Sequence, residues 1–306
     1  MNSLILLFVC LVIGIGLQRI RTFPENATEV LNAFVIYISL PALALIYIPR
    51  IVLEANLLYP VLSAWLLLAF SFLVILALGK FFKWERTTIG CLLLTAGFGN
   101  TSFVGFPVVE ALYGEDGLKM AFLVDQPGSF VAISTVGIVI ASVFSNEELR
   151  KRDITRRVLL FPPFITFVIA LGMNFSGIEA TGSLLYILER LGATLTPVAL
   201  ISVGMQLKFN FSKELAIPLT AGLTYKLILA PTFIFVLYVF VLGGSGLAVK
   251  VSILESAMAP MITGAIVAVM YGLNTRLASL MIGVGVPLSF LTLLVWYQII
   301  ERFVGG

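Results

Sequence analysis

Histidine is absent from all 306 residues. That removes the commonest metal ligand and the usual general base near neutral pH. Two cysteines, Cys10 and Cys91, are too few to make a zinc site. Each lies in an apolar run and reads as a buried thiol, with nothing to support a disulfide between them. Charge is scarce as well. Only 11% of residues are Asp, Glu, Lys or Arg, against about a quarter in a soluble domain. The net charge of +3 is small and comes from short connecting segments, so it gives no reason to expect nucleic acid as a partner. What fills the chain is apolar: 60% of residues are hydrophobic and the mean hydropathy is +1.09. The solvent such a surface requires is a lipid bilayer.

A membrane-spanning helix needs about 20 apolar residues. Ten segments qualify: 3–20, 28–48, 58–80, 87–111, 118–143, 158–175, 183–206, 215–242, 247–272 and 276–300. The chain is expected to be all-α. The first segment has no basic residue before Arg19 and no small-residue cleavage site, so it reads as a span rather than a secretory signal. Glu189 and Arg190 make the start of the seventh segment an interfacial turn. No segment reads as an appended soluble domain.

Lys and Arg set the orientation. With the N-terminus outside, 13 of the 19 basic residues fall in cytoplasmic connections, including Arg150, Lys151, Arg152, Arg156 and Arg157. Both termini are then expected on the outer side of the plasma (inner) membrane. The basic stretch 144–157 divides the chain into residues 1–143 and 158–306, with five spans each. An odd number of spans forces the halves into opposite orientations. Short matches recur at a nearly constant spacing: Leu40-Pro41-Ala42-Leu43 with Thr196-Pro197-Val198-Ala199-Leu200, Tyr113-Gly114 with Tyr271-Gly272, and Pro127 to Phe130 with Pro287 to Phe290. They describe an inverted repeat.

Two spans carry interruptions. Residues 97–109 read Gly-Phe-Gly-Asn-Thr-Ser-Phe-Val-Gly-Phe-Pro-Val-Val, and residues 256–264 read Ser-Ala-Met-Ala-Pro-Met-Ile-Thr-Gly. Glycine and proline break the helical ladder there, and Asn100, Thr101 and Ser102 bring polar groups to membrane depth. Such backbone survives only where it is buried in protein or lines a cavity. Paired interruptions in corresponding halves point to a transporter's binding site. Pro107 and Pro260, which lack an N–H, are expected to hold the breaks open.

The pattern Gly99-Asn100-Thr101-x-x-x-Gly105-x-Pro107 resembles the auxin efflux carrier family, as do the Tyr113-Gly114 exit and the stretch Gly264–Pro287. The resemblance covers essentially the whole chain. The plant members of that family have a long cytoplasmic connection between the halves, and this chain has only residues 144–157. The resemblance implies crossed, broken fourth and ninth spans. It implies a scaffold of spans 1, 2, 6 and 7 and an elevator-type transport domain of spans 3–5 and 8–10. It further implies a homodimer joined through the scaffold, and small organic anions such as auxin-like compounds or dicarboxylates as substrates.

Substrate contacts are expected from Asn100, Thr101, Ser102, Gly105, Pro107, Pro260, Met261, Thr263 and, more weakly, Gln206 beside Met205. Neutral amides and hydroxyls donate and accept without a charge to desolvate. The freed N–H groups of a half-helix N-terminus suit an anion. Asn100 could instead only satisfy broken backbone. Asp125, Lys226 and Glu255 lie well inside spans, where a charge is costly and usually functional. Two carboxylates against one ammonium leave a deficit of one positive charge. A sodium ion or a proton is the expected coupling ion, with sodium at Asn100, Thr101 and Glu255 as the resemblance to related symporters implies. The alternatives are a structural pair of Asp125 with Lys226, and Lys226 snorkelling to the cytoplasm. Glu110 ends the fourth span and reads as solvated. No cofactor is expected. A membrane receptor or channel for the same ligands is the competing reading. An intramembrane enzyme is disfavoured, since there is no His and no paired-aspartate motif.

Overall fold

The computed structural model describes residues 2–20, 22–24, 26–51, 57–145, 162–207 and 213–304. Most of the basic connection 144–157 lies outside these residues. The described residues are helices joined by turns: α1 Asn2–Leu17, α2 Ala27–Arg50, α3 Leu58–Phe82, α4 Arg86–Thr95, α5 Thr101–Phe144, α6 Pro162–Phe175, α7 Gly182–Gln206, α8 Ala216–Val241, α9 Leu247–Ser256, α10 Ile262–Met270 and α11 Thr275–Phe303. Six of them (α2, α3, α5, α7, α8 and α11) are long and apolar enough to cross a membrane. The protein is multi-pass. Among the described residues the one β-type contact is an isolated antiparallel bridge between Gly99 and Pro260.

Helix length explains the short elements. α4, α9 and α10 have 10, 10 and 9 residues. At 1.5 Å per residue each covers about 15 Å, half of a hydrocarbon core of about 30 Å. α5 is the opposite case. Its 44 residues would run about 66 Å if straight. Gly114 divides it, with φ 65° and ψ −157° inside an otherwise helical run. The expected loop at 112–117 is therefore reduced to one left-handed residue, which glycine adopts without steric cost.

Three prolines leave the same signature. Each of Pro41, Pro107 and Pro231 is preceded by a π-helical turn, Val35–Ser39, Thr101–Gly105 and Tyr225–Leu229 respectively. A proline ring collides with the carbonyl four residues earlier and has no N–H to offer it. Widening the turn accommodates the ring. At Pro231 the carbonyl freed in this way is that of Leu227, and the Trp296 indole N–H donates to it at 3.0 Å. Pro41 follows its π turn, whereas Pro197 is the third residue of the α-helical part of α7, Leu195–Gln206, just after a turn at 193–194.

Side chains tie α1, α2, α6 and α7 together. Gly14 and Gly204 let α1 and α7 touch: a Cβ on Gly14 would sit 2.9 Å from the Gly204 Cα. Small residues allow this approach inside membranes. The Gln18 amide donates to Gly204 O at 2.7 Å and Leu207 O at 3.1 Å, capping α7. The Asn174 amide does the same for α2, reaching Ile48 O, Pro49 O and Ile51 O at 2.7–3.0 Å. A second group forms around α3, α8 and α11. Tyr225 and Tyr238 on α8 donate to Leu67 O and Tyr59 O, each at 2.8 Å. Cys10 and Cys91 are buried free thiols.

Candidate functional site

The two interruptions meet. Asn100 N donates to Ala259 O at 2.9 Å, and Met261 N donates to Thr95 O at 3.1 Å. Gly99 and Pro260 form the bridge between them. Broken helices leave orphan N–H and C=O groups, and in a bilayer core these must find partners inside the protein. Here each break supplies the other's partners. The breaks are shorter than the sequence suggests: helical structure is lost only at 96–100 and 257–261. Pro260 lies in its gap, but Pro107 does not. Pro107 sits in the helical turn after Thr101–Gly105, because the π turn absorbs its ring.

The end of α9 can be followed carbonyl by carbonyl. Ile253 O accepts from Ala257 N and Ser256 Oγ, Leu254 O from Ala257 N, and Glu255 O from Met258 N. Ser256 O accepts from Lys226 Nζ at 2.9 Å. Lys226 is 1% exposed. It therefore does not snorkel to an interface. It forms no ion pair with Asp125 either.

Asp125 has its own donors. The hydroxyls of Thr101 and Ser102 donate to Oδ1, and Gln126 Nε2 donates to Oδ2 at 2.7 Å. Three donors suit an ionised carboxylate. Glu255 has none. Both of its carboxyl oxygens are buried without a hydrogen-bond partner. Gly105 lies directly against them, so that any Cβ there would overlap the carboxyl group. Beside Glu255 is a small space of about 10 Å³ lined by Gly97, Phe98, Gly99, Thr101, Ser129 and Ser256, among others. That is room for about one water.

Asn100 is buried, and its Oδ1 accepts from Phe103 N at 3.2 Å, capping the start of α5. Its Nδ2 has no partner. So Asn100 satisfies broken backbone with one end and presents a free donor with the other. Thr101 and Met261 are also buried at the junction, and Ser102 is half-buried. Thr263 is exposed on α10. Gln206 and Met205 lie elsewhere, in a cleft of about 420 Å³ that Thr28, Glu29 and Asn32 of α2 also line. The opposite wall is apolar, with Ile262, Ile266 and Met270 of α10 and Ile282 of α11. Ile262 places the floor of the cleft next to the second break. Glu110 is exposed and accepts from Thr196 Oγ1 at 2.8 Å.

Sequence reasoning overlooked Gln126, Ser129, Asn32 and Ser202. Gln126 adjoins Asp125 in sequence, and an amide beside an intramembrane acid was the available signal. Asn32, whose Oδ1 accepts from the Ser202 hydroxyl, is brought to the cleft only by packing.

The chain is similar to known proteins along its length. An uncharacterized transporter of Methanocaldococcus jannaschii is 26% identical over 306 residues, covering 97% of each chain. An uncharacterized transporter of Methanothermobacter thermautotrophicus is 28% identical over 205 residues, 67% of this chain and 66% of its own. The profile of the family described as membrane transport protein matches residues 1–297. A multi-pass chain with paired breaks, a buried charged trio at their junction and this match over its length belongs to the membrane transport protein family, to which the auxin efflux carriers suggested by the Asn100-Thr101 motif belong.

Proposed function

We propose that the protein is a secondary transporter of small organic anions that works by alternating access. The carrying observation is that the two interruptions pair with each other, with Asp125, Lys226 and Glu255 buried around them. A plain helical bundle has no use for three ionisable groups at membrane depth.

In this reading the fold is ten spans in two inverted five-span repeats. Three contacts support it. Ser39 meets Thr194, 155 residues on, and Leu67 meets Tyr225, 158 residues on. Gly99 meets Pro260 at a separation of 161. Equivalent positions touch where a two-fold axis passes between repeats. The α1, α2, α6 and α7 group serves as scaffold and carries the homodimer contact. The α3–α5 and α8–α11 group moves against it as an elevator.

The anion binds at the junction, near the Asn100 amide, Thr101, Ser102, Gly105, Pro260, Met261 and the free N–H groups that begin α5 and α10. The unpartnered Asn100 Nδ2 supports this. The cleft lined by Gln206 is the route to it. A sodium ion or a proton neutralises Glu255 during transport, with Asn100 and Thr101 as further oxygen donors if the ion is sodium. Both termini face outward from the plasma membrane. On the outer side Arg50, Lys119 and Lys250 are paired with Glu179, Asp116 and Glu301.

The test is flux into proteoliposomes from a panel of labelled carboxylates. Saturable uptake that accelerates with unlabelled substrate on the far side is expected. Rates that rise linearly with concentration, or transport of cations only, would refute the reading.

A further inference from the structure

Anion binding leaves one group unused. Lys226 is the largest charged side chain in the interior and lies on the π turn Tyr225–Leu229. Its ammonium meets both breaks. It donates to Ser256 O, the terminal carbonyl of α9, at 2.9 Å. It also lies against Gly99 of the first break, where a Cβ would be 3.1 Å from Nζ and 3.6 Å from Cε. The groups around it are negative or electron-rich. Glu255 immediately precedes Ser256, and Asp125 faces the same junction from α5. The ends of α4 and α9 add the partial negative charge of helix C-termini.

We propose that the Lys226 ammonium is the resident cation of the junction, doing there what a bound alkali-metal ion would otherwise do. It supplies the positive charge that two converging helix C-termini require. It also steadies the bridge Gly99–Pro260, bonded to Ser256 O on one side and lying close to Gly99 on the other. The small space beside Glu255 shares Gly99 and Ser256 with it. A metal ion entering that space would stand next to a fixed ammonium, and like charges repel strongly where the dielectric constant is low. The junction is thus expected to be insensitive to sodium, potassium and lithium, which leaves the proton as the ion that neutralises Glu255, and to become sensitive to these cations when the ammonium is removed. Lys226 is a positioning residue in this account. It touches the half-helices that bind substrate rather than the substrate.

The inference rests on the transporter reading only for its flux measurement, so stability is measured separately. Wild-type protein purified in detergent is unfolded by heat in sodium, potassium, lithium or choline chloride at equal ionic strength. The same midpoint is expected in all four. Lys226→Met, which keeps the stem and loses the charge, is expected to unfold earlier in choline and to be raised selectively by sodium or potassium. Lys226→Ala, which leaves space, is expected to be raised by ethylammonium as well. Initial transport rates of the variants should fall about tenfold in choline and recover with the same cations. A purely structural lysine would show no such rescue. Selective stabilisation of the wild type by sodium overturns the proposal. So does a Lys226→Met protein that matches wild type in choline, or one that gains no more from alkali ions than wild type does. Should neither variant accumulate, the wild-type salt comparison alone decides. If the stability pattern holds but no anion is transported, the transporter reading fails and the resident-cation inference stands.

Discussion

Gly105 lies so close to the Glu255 carboxyl group that a Cβ in place of its hydrogen would force the carboxyl group to move. Glycine here is set by a contact across 150 residues of sequence rather than by backbone dihedrals. The contact brings the π turn of α5 against the last turn of α9 and shields the carboxyl oxygens from other donors.

Gly105→Ala should therefore cost about 1–3 kcal/mol, the usual range for overpacking, and should lower transport. Gly16→Ala is the control, since a Cβ there meets nothing within 4 Å. Thermal unfolding in detergent measures both. Equal midpoints for the two variants would contradict the contact.

Asn100→Ala removes the cap on Phe103 N and the free Nδ2 donor. Loss of a helix N-cap costs about 1 kcal/mol, so the protein should still fold. Saturable transport should disappear. If affinity and rate survive in proteoliposomes, the anion binds elsewhere.

Asp125 and Glu255 should respond differently to neutralisation. Asp125→Asn sets a new amide donor among the three donors already present from Thr101, Ser102 and Gln126. It should destabilise the fold. Glu255→Gln should leave the midpoint closer to wild type, because no donor is lost there, and should abolish the response of transport to ion gradients. The assay fixes the substrate gradient and varies the sodium and proton gradients separately. Coupling through Glu255 is excluded if neither gradient alters the wild-type rate or accumulation and the variant transports normally.

Trp296 and Pro231 form a testable pair. Trp296→Phe leaves Leu227 O buried without its indole donor, at a cost of about 1–3 kcal/mol. Pro231→Ala restores a backbone N–H four residues on. In the Trp296→Phe background it should recover part of that loss. A double-mutant cycle on unfolding midpoints reads the coupling. Additive effects would mean that the indole is not serving the carbonyl freed by the proline.

The cleft gives the last prediction. Gln206→Leu and Asn32→Ala change its polar wall without touching the junction. Each should raise KM for the transported anion with little change in maximal rate. A fall in maximal rate with KM unchanged would place the substrate route elsewhere.

Sequence alone determined the membrane class, because hydropathy over about 20 residues is a local property. It also marked both interruptions, since glycine, proline and Asn-Thr-Ser in an apolar run have no other use. The charged trio was equally visible, as ionisable residues are rare at that depth. Tertiary structure decided the rest. Pro107 was assigned to the break, and a π turn moved it into the helix. Lys226 had three candidate roles, and only packing showed its ammonium on Ser256 O. Gly105 was a motif residue without a reason until Glu255 was placed beside it. The reason for the division is physical. A break announces itself through the residues that cause it, but the groups it frees are satisfied by backbone some 160 positions away. Spacing along one chain carries no record of which distant carbonyl or carboxyl group will be there.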